Sequence, residues 1–345
     1  MADTRKRVHL PRRSCGEFRC PTVSEPDYLL LEDAIAQGLA RVTEAGDGGS
    51  VTEIKFENDA EIPVLLLDGE ELLGAKQDRV LNLTILVPPK RTILIPVSCV
   101  EPGRWRMATP EFQVAGHVMY SRGRAAQCAQ VTAAMRTSGT HRSDQGRVWD
   151  ELAAMASRLG VDSPTGAMAA MYERHALLIE EYVRAFAWTE GQTGVLCAIG
   201  CRPLALDLFD HSVTMRRLFP KLVRSYALDA LDAGQCTRVP AEASLASEML
   251  KDASSATVFL QPAIGLGKDA RFLSRAVTGS ALWVNGRYVH ICAFAANGAA
   301  EGAGFQTRMS PPTHRRGQLR RIAGCTHSHT ERGGSTNQAV SPQVR

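Results

Sequence analysis

Between residues 51 and 100 apolar and polar side chains alternate, which is the spacing of β-strands with one buried face. Beyond residue 145 apolar residues recur every three or four positions, the spacing of helices. Ahead of both, "PDYLLLEDAIAQGLARVTEAGDGGS" from Pro26 predicts a short helix over Leu31–Leu39 that runs into a Gly-rich loop. "SVTEIKFEN" then alternates imperfectly through Val51, Ile54 and Phe56, and "IPVLLLDG" ends on Asp68-Gly69, a favoured two-residue hairpin turn. "VLNLTILV" sets Leu81, Leu83, Ile85 and Val87 on one face. "TILIPVSCV" does the same with Ile93, Ile95, Val97 and Cys99, and "PPKR" turns the chain between them. The expectation is an antiparallel, sandwich-like sheet. Pro96 points to an edge strand or a bulge, because proline cannot donate to a ladder.

The pattern fades after "EPGRW" and returns where Trp149, Leu152, Ala156 and Leu159 share one helical face, with Ser143 or Asp144 as N-cap and Gly160 as stop. A second helix is expected from Ser163 as N-cap and Pro164 at its first position, with the stripe Met168, Met171, His175, Leu178 and Tyr182 read as core. "TGVLCAIGCRPLALDLF" reads as strand, turn at Gly200–Pro203, strand. "HSVTMRRLF" and "PKLVRSYALDALDAG" read as two helices meeting at Pro220, and "PAEASLASEML" as a further short helix. In "ALWVNGRYVHICAF", Asn285-Gly286 marks a hairpin. The fold class is therefore α+β: a mainly β portion over 26–140 and an α+β portion over 141–294 packing on it, as one continuous domain or two. The basic N-terminus, 1–25, is expected to be poorly ordered, and the Arg-rich end, 295–345, to be disordered.

Composition changes this picture little. With 44% hydrophobic and 22% charged residues the chain is an ordinary globular protein. No run approaches the roughly eighteen apolar residues that a membrane span requires. The basic start has no apolar segment behind it, which argues against a secretory signal. Nine cysteines, odd in number and irregularly spaced, do not describe a disulfide framework or a zinc motif, so a reducing compartment, the cytoplasm, is expected. The net charge of +4 sits at the ends, leaving residues 14–307 at about −6. A mildly acidic body is not a nucleic-acid surface.

Candidate chemistry gathers in "LDGEELLGAKQDR", residues 67–79, and in "PVSCVEPGRW". Asp68, Glu70 and Glu71 precede Lys76, Gln77, Arg79 and Asn82, and a neighbouring strand end brings Ser98, Cys99, Glu101, Arg104 and Trp105. If these strands pair, one rim holds carboxylates for ribose hydroxyls, cations for phosphate oxygens and an indole for stacking on a base. Asp144 and Gln145 in "HRSDQGRVWDEL" would join it if their helix docks there. The competing reading is that the same charges lock loops by pairing with one another. A third, weaker reading makes Cys99 a nucleophile beside Arg104, which would require it to be exposed on an anion nest. No phosphate loop, nucleophile elbow or dinucleotide fingerprint is present, so no catalytic residue, cofactor or metal is assigned.

The phrases "PVLLLDGEELLGAKQDRVLNLTILVP", "IPVSCVEPGRWR", "RSDQGRVWDEL", "SPTGAM", "LALDLFD" and "LVRSYALDALDA" resemble a bacterial family of unassigned function, the ARG and Rhodanese-Phosphatase-superfamily-associated Protein domain. The resemblance spans residues 26 to about 294. It implies, by the association in the family's name with ADP-ribosylglycohydrolases and rhodanese-like phosphatases, a place in ADP-ribose or related nucleotide metabolism, and no catalysis. Asp78 stands where the family pattern leads one to expect Asn. The expected partner is thus a nucleotide-derived small molecule, with a structural or interaction module as the alternative.

Overall fold

The computed structural model describes residues 15–19, 25–46, 48–199, 202–234 and 243–296, all within one compact unit that runs to Gly304. Along the chain come β1 (Cys15–Arg19), β2 (Leu29–Leu30), α1 (Leu31–Ala36), β3 (Ala40–Glu44), β4 (Glu53–Asn58), β5 (Val64–Leu66), β6 (Glu70–Gly74), β7 (Arg79–Leu81), β8 (Ile85–Val87), β9 (Arg91–Cys99) and β10 (Phe112–Val118). Four helices follow, α2 (Ser121–Ser138), α3 (Gln145–Arg158), α4 (Ala169–Arg174) and α5 (Ala176–Ala185). The remainder is β11 (Gln192–Ile199), β12 (Arg202–Phe209), α6 (Ser212–Asp232), α7 (Ala243–Ser255), β13 (Thr257–Pro262), β14 (Lys268–Leu273), β15 (Val277–Val284) and β16 (Arg287–Ala295).

These strands form a six-stranded sheet, β10-β6-β7-β9-β4-β3, a three-stranded sheet, β2-β5-β8, and a seven-stranded sheet, β1-β11-β12-β16-β15-β14-β13. All pairings are antiparallel except β2 with β5. The fold is α+β, with an N-terminal half rich in sheet. Phe56, Leu72, Leu81 and Ile95 of the six-stranded sheet pack against Val64, Leu66, Ile85 and Val87 of the three-stranded one. Each such side chain, fully buried, contributes about 1.5–3 kcal/mol from leaving water. A second core joins Val195, Phe209, Cys292 and Phe294 of the seven-stranded sheet to Ala125 of α2 and Met215, Leu222 and Tyr226 of α6. Val148, Leu152 and Met155 of α3 close a third against Val80 and Val100.

Several expectations change in detail. Asp68-Gly69 is a tight turn, with the Glu70 amide donating to the Leu67 carbonyl at 3.1 Å, but it is not a hairpin: β5 and β6 pair in different sheets, so the chain crosses from one sheet to another there. The hairpin lies one step on, where β6 folds onto β7 around Ala75–Asp78. "VLNLTILV" likewise splits into β7 and β8. Leu81, Leu83, Ile85 and Val87 do share one core, while Asn82 and Thr84, facing away, make the side-chain hydrogen bonds that anchor the crossing. β9 is a central strand, not an edge. Pro96 sits where β7 ends, and its carbonyl accepts the Asn82 amide at 3.1 Å; the return bond that proline cannot donate falls just past Leu81, where the β7 ladder stops. The Gly-rich loop expected after Leu39 is preceded by the strand β3.

In the second half, residues 163–168 are a loop. Ser163 Oγ accepts the Ala167 amide, yet the helix begins only at Ala169 and breaks at His175, leaving Leu178 partly exposed. α6 runs unbroken through Pro220, because burial against β11, β10 and α5 outweighs the one backbone bond proline removes. The hairpin at Asn285-Gly286 is present, both residues at positive φ. β1 falls inside the stretch read as a poorly ordered N-terminus and pairs with β11. The turn residues Gly200 and Cys201, the first residues of "PAEASLASEML" and the Arg-rich end from 297 lie outside the described residues.

Gly69 supports the crossing geometrically. Its φ is +77°, and a Cβ there would come within 2.8 Å of Arg124 Cγ. Gly69→Ala is expected to destabilise the fold by about 2 kcal/mol or more, from left-handed strain and displacement of Arg124 together. Urea denaturation of the variant checks this, and an unchanged midpoint would contradict it.

Candidate functional site

Arg124, on α2, is wholly buried, and two aspartates, one from the turn after β5 and one from β12, close on it. Its Nε and Nη2 donate to Asp68 Oδ2 and Oδ1 at 3.2 and 3.1 Å, and its Nη1 and Nη2 to Asp207 Oδ2 and Oδ1 at 3.1 and 2.7 Å. Tyr226 donates to Asp207 Oδ2 at 2.6 Å. His290 lies 3.2 Å from Asp207 Oδ1 through Nε2 and 2.9 Å from Thr84 Oγ1 through Nδ1. Burial opposes ionisation of Asp68 and Asp207, but the Arg124 guanidinium beside them holds both carboxyls below the usual carboxylate range. Asp68, His290 and Cys292 could by position share a cation, their ligand atoms lying within 4.8 Å of one another. Arg124 donates to both Asp68 oxygens and already supplies the positive charge at this place.

The rim residues are distributed over several separate local arrangements. Glu70 pairs with Lys221 of α6 at 3.0 Å and accepts the Leu67 amide. Glu71 is buried against His117 Nε2 at 2.5 Å, and the His117 ring stacks on Tyr172. Asn82 and Ser98 join Gln127 and Ser143 in a buried amide and hydroxyl network, with Asn82 also donating to the His141 carbonyl. Gln145 accepts the Cys99 amide and donates to the Cys99 carbonyl, both at 2.8 Å, so its side chain pairs with β9 as a neighbouring strand would. Asp144 caps α3 by accepting the Arg147 amide. The "SDQ" of "HRSDQGRVWDEL" therefore docks α3 on the sheet.

Around the β6–β7 hairpin the cations turn inward. Arg104 donates to Glu101 Oε2 (2.7 Å), Asp78 Oδ1 (2.9 Å) and the carbonyls of Gly74, Ala75 and Arg106, which commits its guanidinium to protein acceptors. Gln77 donates to the Glu101 carbonyl and accepts from Arg79 Nη1, while Arg79 Nη2 reaches the Ser50 carbonyl. Trp105 remains half-exposed, its ring over Arg79 at 5.6 Å and Lys76 at 5.7 Å. Cys99 is buried beside Arg79, and burial pushes its thiol up, so it is not the exposed thiolate that nucleophilic chemistry needs.

Two rim acids, though largely buried, line a cleft. Asp78 and Glu101 line one wall of this cleft of about 840 Å³, and Asp162, Ser163, Thr165, Glu173 and Arg174 line the other. The Gly103 amide on the Thr165 carbonyl (2.8 Å) and the Met168 amide on the Val100 carbonyl (2.9 Å) pin the walls together. Burial pushes the Asp78 carboxyl up to about 6, opposed by the Gly74 amide and reinforced by Glu71 and Glu101. Burial also opposes ionisation of Glu101, but the Arg104 hydrogen bond keeps it below its ordinary value. Nothing in the alternating pattern marks the outer wall, because residues 160–174 carry their polar groups on a loop and a short helix. Arg124, Asp207 and His290 escaped notice for the opposite reason, since single polar residues inside apolar elements read as noise.

The ARG and Rhodanese-Phosphatase-superfamily-associated Protein domain matches residues 17–294 of the chain. No curated protein and no solved structure matches it.

Two outcomes follow from these geometries. Arg124→Met leaves Asp68 and Asp207 buried without their cation and is expected to cost about 3–5 kcal/mol in chemical denaturation; a loss below 1 kcal/mol would show that the pairing is dispensable. The folded pKa of Asp78 is raised, so its contribution to stability is fully present below about pH 4 and is lost as pH rises through about 6. Asp78→Asn, which keeps the acceptor for Gly74 and Arg104, should flatten that part of the stability profile between pH 4 and 7. Superimposable profiles would place the titration elsewhere.

Proposed function

Since the chain belongs to the ARG and Rhodanese-Phosphatase-superfamily-associated Protein domain family, we propose that it is a cytoplasmic domain that binds or processes an ADP-ribose-like or nucleotide-derived ligand in the cleft between the Asp78–Glu101 rim and residues 160–174. The observation that carries this reading is the cleft itself. Its volume of about 840 Å³ falls in the range of roughly 300–1,000 Å³ typical of small-molecule sites. Carboxylates on both walls suit ribose hydroxyls, and Arg174 on the outer wall suits a phosphate oxygen. Arg104 and Arg79, which the rim reading would have placed on phosphate, are engaged with protein acceptors and take no such role here. Among the described residues no helix is long and apolar enough to cross a membrane.

A non-catalytic interaction module is the second reading, favoured by the same engagement of Arg104 and by the exposed Trp105 and Met107 on the loop it braces. Thermal-shift measurements with ADP-ribose, NAD, mono- and dinucleotides and divalent metals separate the two. A cleft ligand at a hundredfold excess over its dissociation constant adds about 2.7 kcal/mol of stability. Glu173→Ala and Arg174→Ala, both at exposed positions, should remove that shift and leave the melting temperature of the free protein unchanged. Absence of a shift with every compound, or shifts that survive both substitutions, would favour the module.

A further inference from the structure

The seven-stranded sheet ends on two edge strands, β1 and β13. β13, "TVFLQP", carries no charge at all. It pairs with β14 residue for residue from Thr257 to Pro262 without a bulge, and among the described residues its other side has no strand partner. Val258 is 58% exposed and Leu260 is 53% exposed, and the two, being two positions apart, project from the same face. Apart from Pro262 at its end, this edge carries neither the charges nor the bulge that keep such strands from pairing.

We propose that β13 is the homodimer interface of this protein, occupied by β13 of a second copy in antiparallel, two-fold pairing. The occupant must be a strand, because what the edge offers is a row of backbone donors and acceptors as well as side chains. A second copy fits by symmetry. Pro262 has no amide to donate and closes the pairing segment at Thr257–Gln261, whose centre is Phe259. A two-fold axis at Phe259 sets Val258 of each copy opposite Leu260 of the other and Thr257 opposite Gln261, so apolar meets apolar and no charge opposes its like. The two seven-stranded sheets then continue into one another. This interface lies on a different sheet from the strands that line the cleft and does not depend on the proposed ligand.

Hydrogen–deuterium exchange of the full chain, at high concentration and after hundredfold dilution, tests the pairing directly, with sedimentation equilibrium run alongside. The β13 amides that do not face β14 should be protected in the concentrated sample and exchange freely on dilution, in step with loss of the dimer. Val258→Lys and Leu260→Lys, at exposed positions, should yield a monomer with the wild-type melting temperature at dilution. Three results would overturn the proposal: a monomer at every concentration, a dimer that survives both lysine substitutions, or concentration-independent protection of β13. The last would assign the edge to another segment of the same chain.

Discussion

Arg124 is the point at which the separate layers of this protein are obliged to meet. A guanidinium with no solvent contact can be held only by acceptors brought to it, and these come from the turn after β5 and from β12, with Tyr226 of α6 bracing the second. The turn after β5 leads into the six-stranded sheet, while β12 belongs to the seven-stranded one, so a single side chain fixes how the two approach α2. Buried ion pairs of this kind add little net stability over an apolar core of equal volume. Their effect is selective, since any packing that misplaces one member strands a charge away from water. The apolar clusters on either side supply the free energy, and the pairing restricts which arrangement can use it.

The polar interval at residues 67–79 takes its meaning from that arrangement. Asp68 serves Arg124, Glu70 serves Lys221 and Glu71 serves His117, partners 56, 151 and 46 positions away. Consecutive acids that look like one surface cluster in the sequence are thus divided among three interior contacts. Of the interval's acids only Asp78, itself largely buried, lines the cleft.

What could be read from the chain alone follows the same division. Alternation placed Leu81, Leu83, Ile85 and Val87 on one face, and Asn285-Gly286 marked its hairpin, because both signals are local. The same alternation could not tell that β7 and β8 join different sheets, since partner choice depends on residues far away. α2 was invisible because the face it buries carries Ser121, Arg124, Gln127 and Thr132 beside its few apolar residues, and a helix whose hidden side is polar has no hydrophobic period. The outer wall of the cleft was missed because Ser163 and Pro164 imitate a helix start; Ser163 does cap a turn, but the Gly103 and Met168 hydrogen bonds hold residues 163–168 as a loop.

The strand order of the larger sheet bears on how the chain reaches this state. β16, the last strand among the described residues, lies in the middle of the sheet between β12 and β15, and it carries His290 and Phe294 into the core around Arg124. Until residues 287–295 have been synthesised, β12 lacks a neighbour on one side and Asp207 lacks one of its hydrogen-bond partners. A nascent chain can form the β6–β7 hairpin and the sheet it belongs to early, because those contacts are near in sequence. The second sheet closes only once β16 has been made, and such non-local pairing slows its assembly and leaves its central strands open until then.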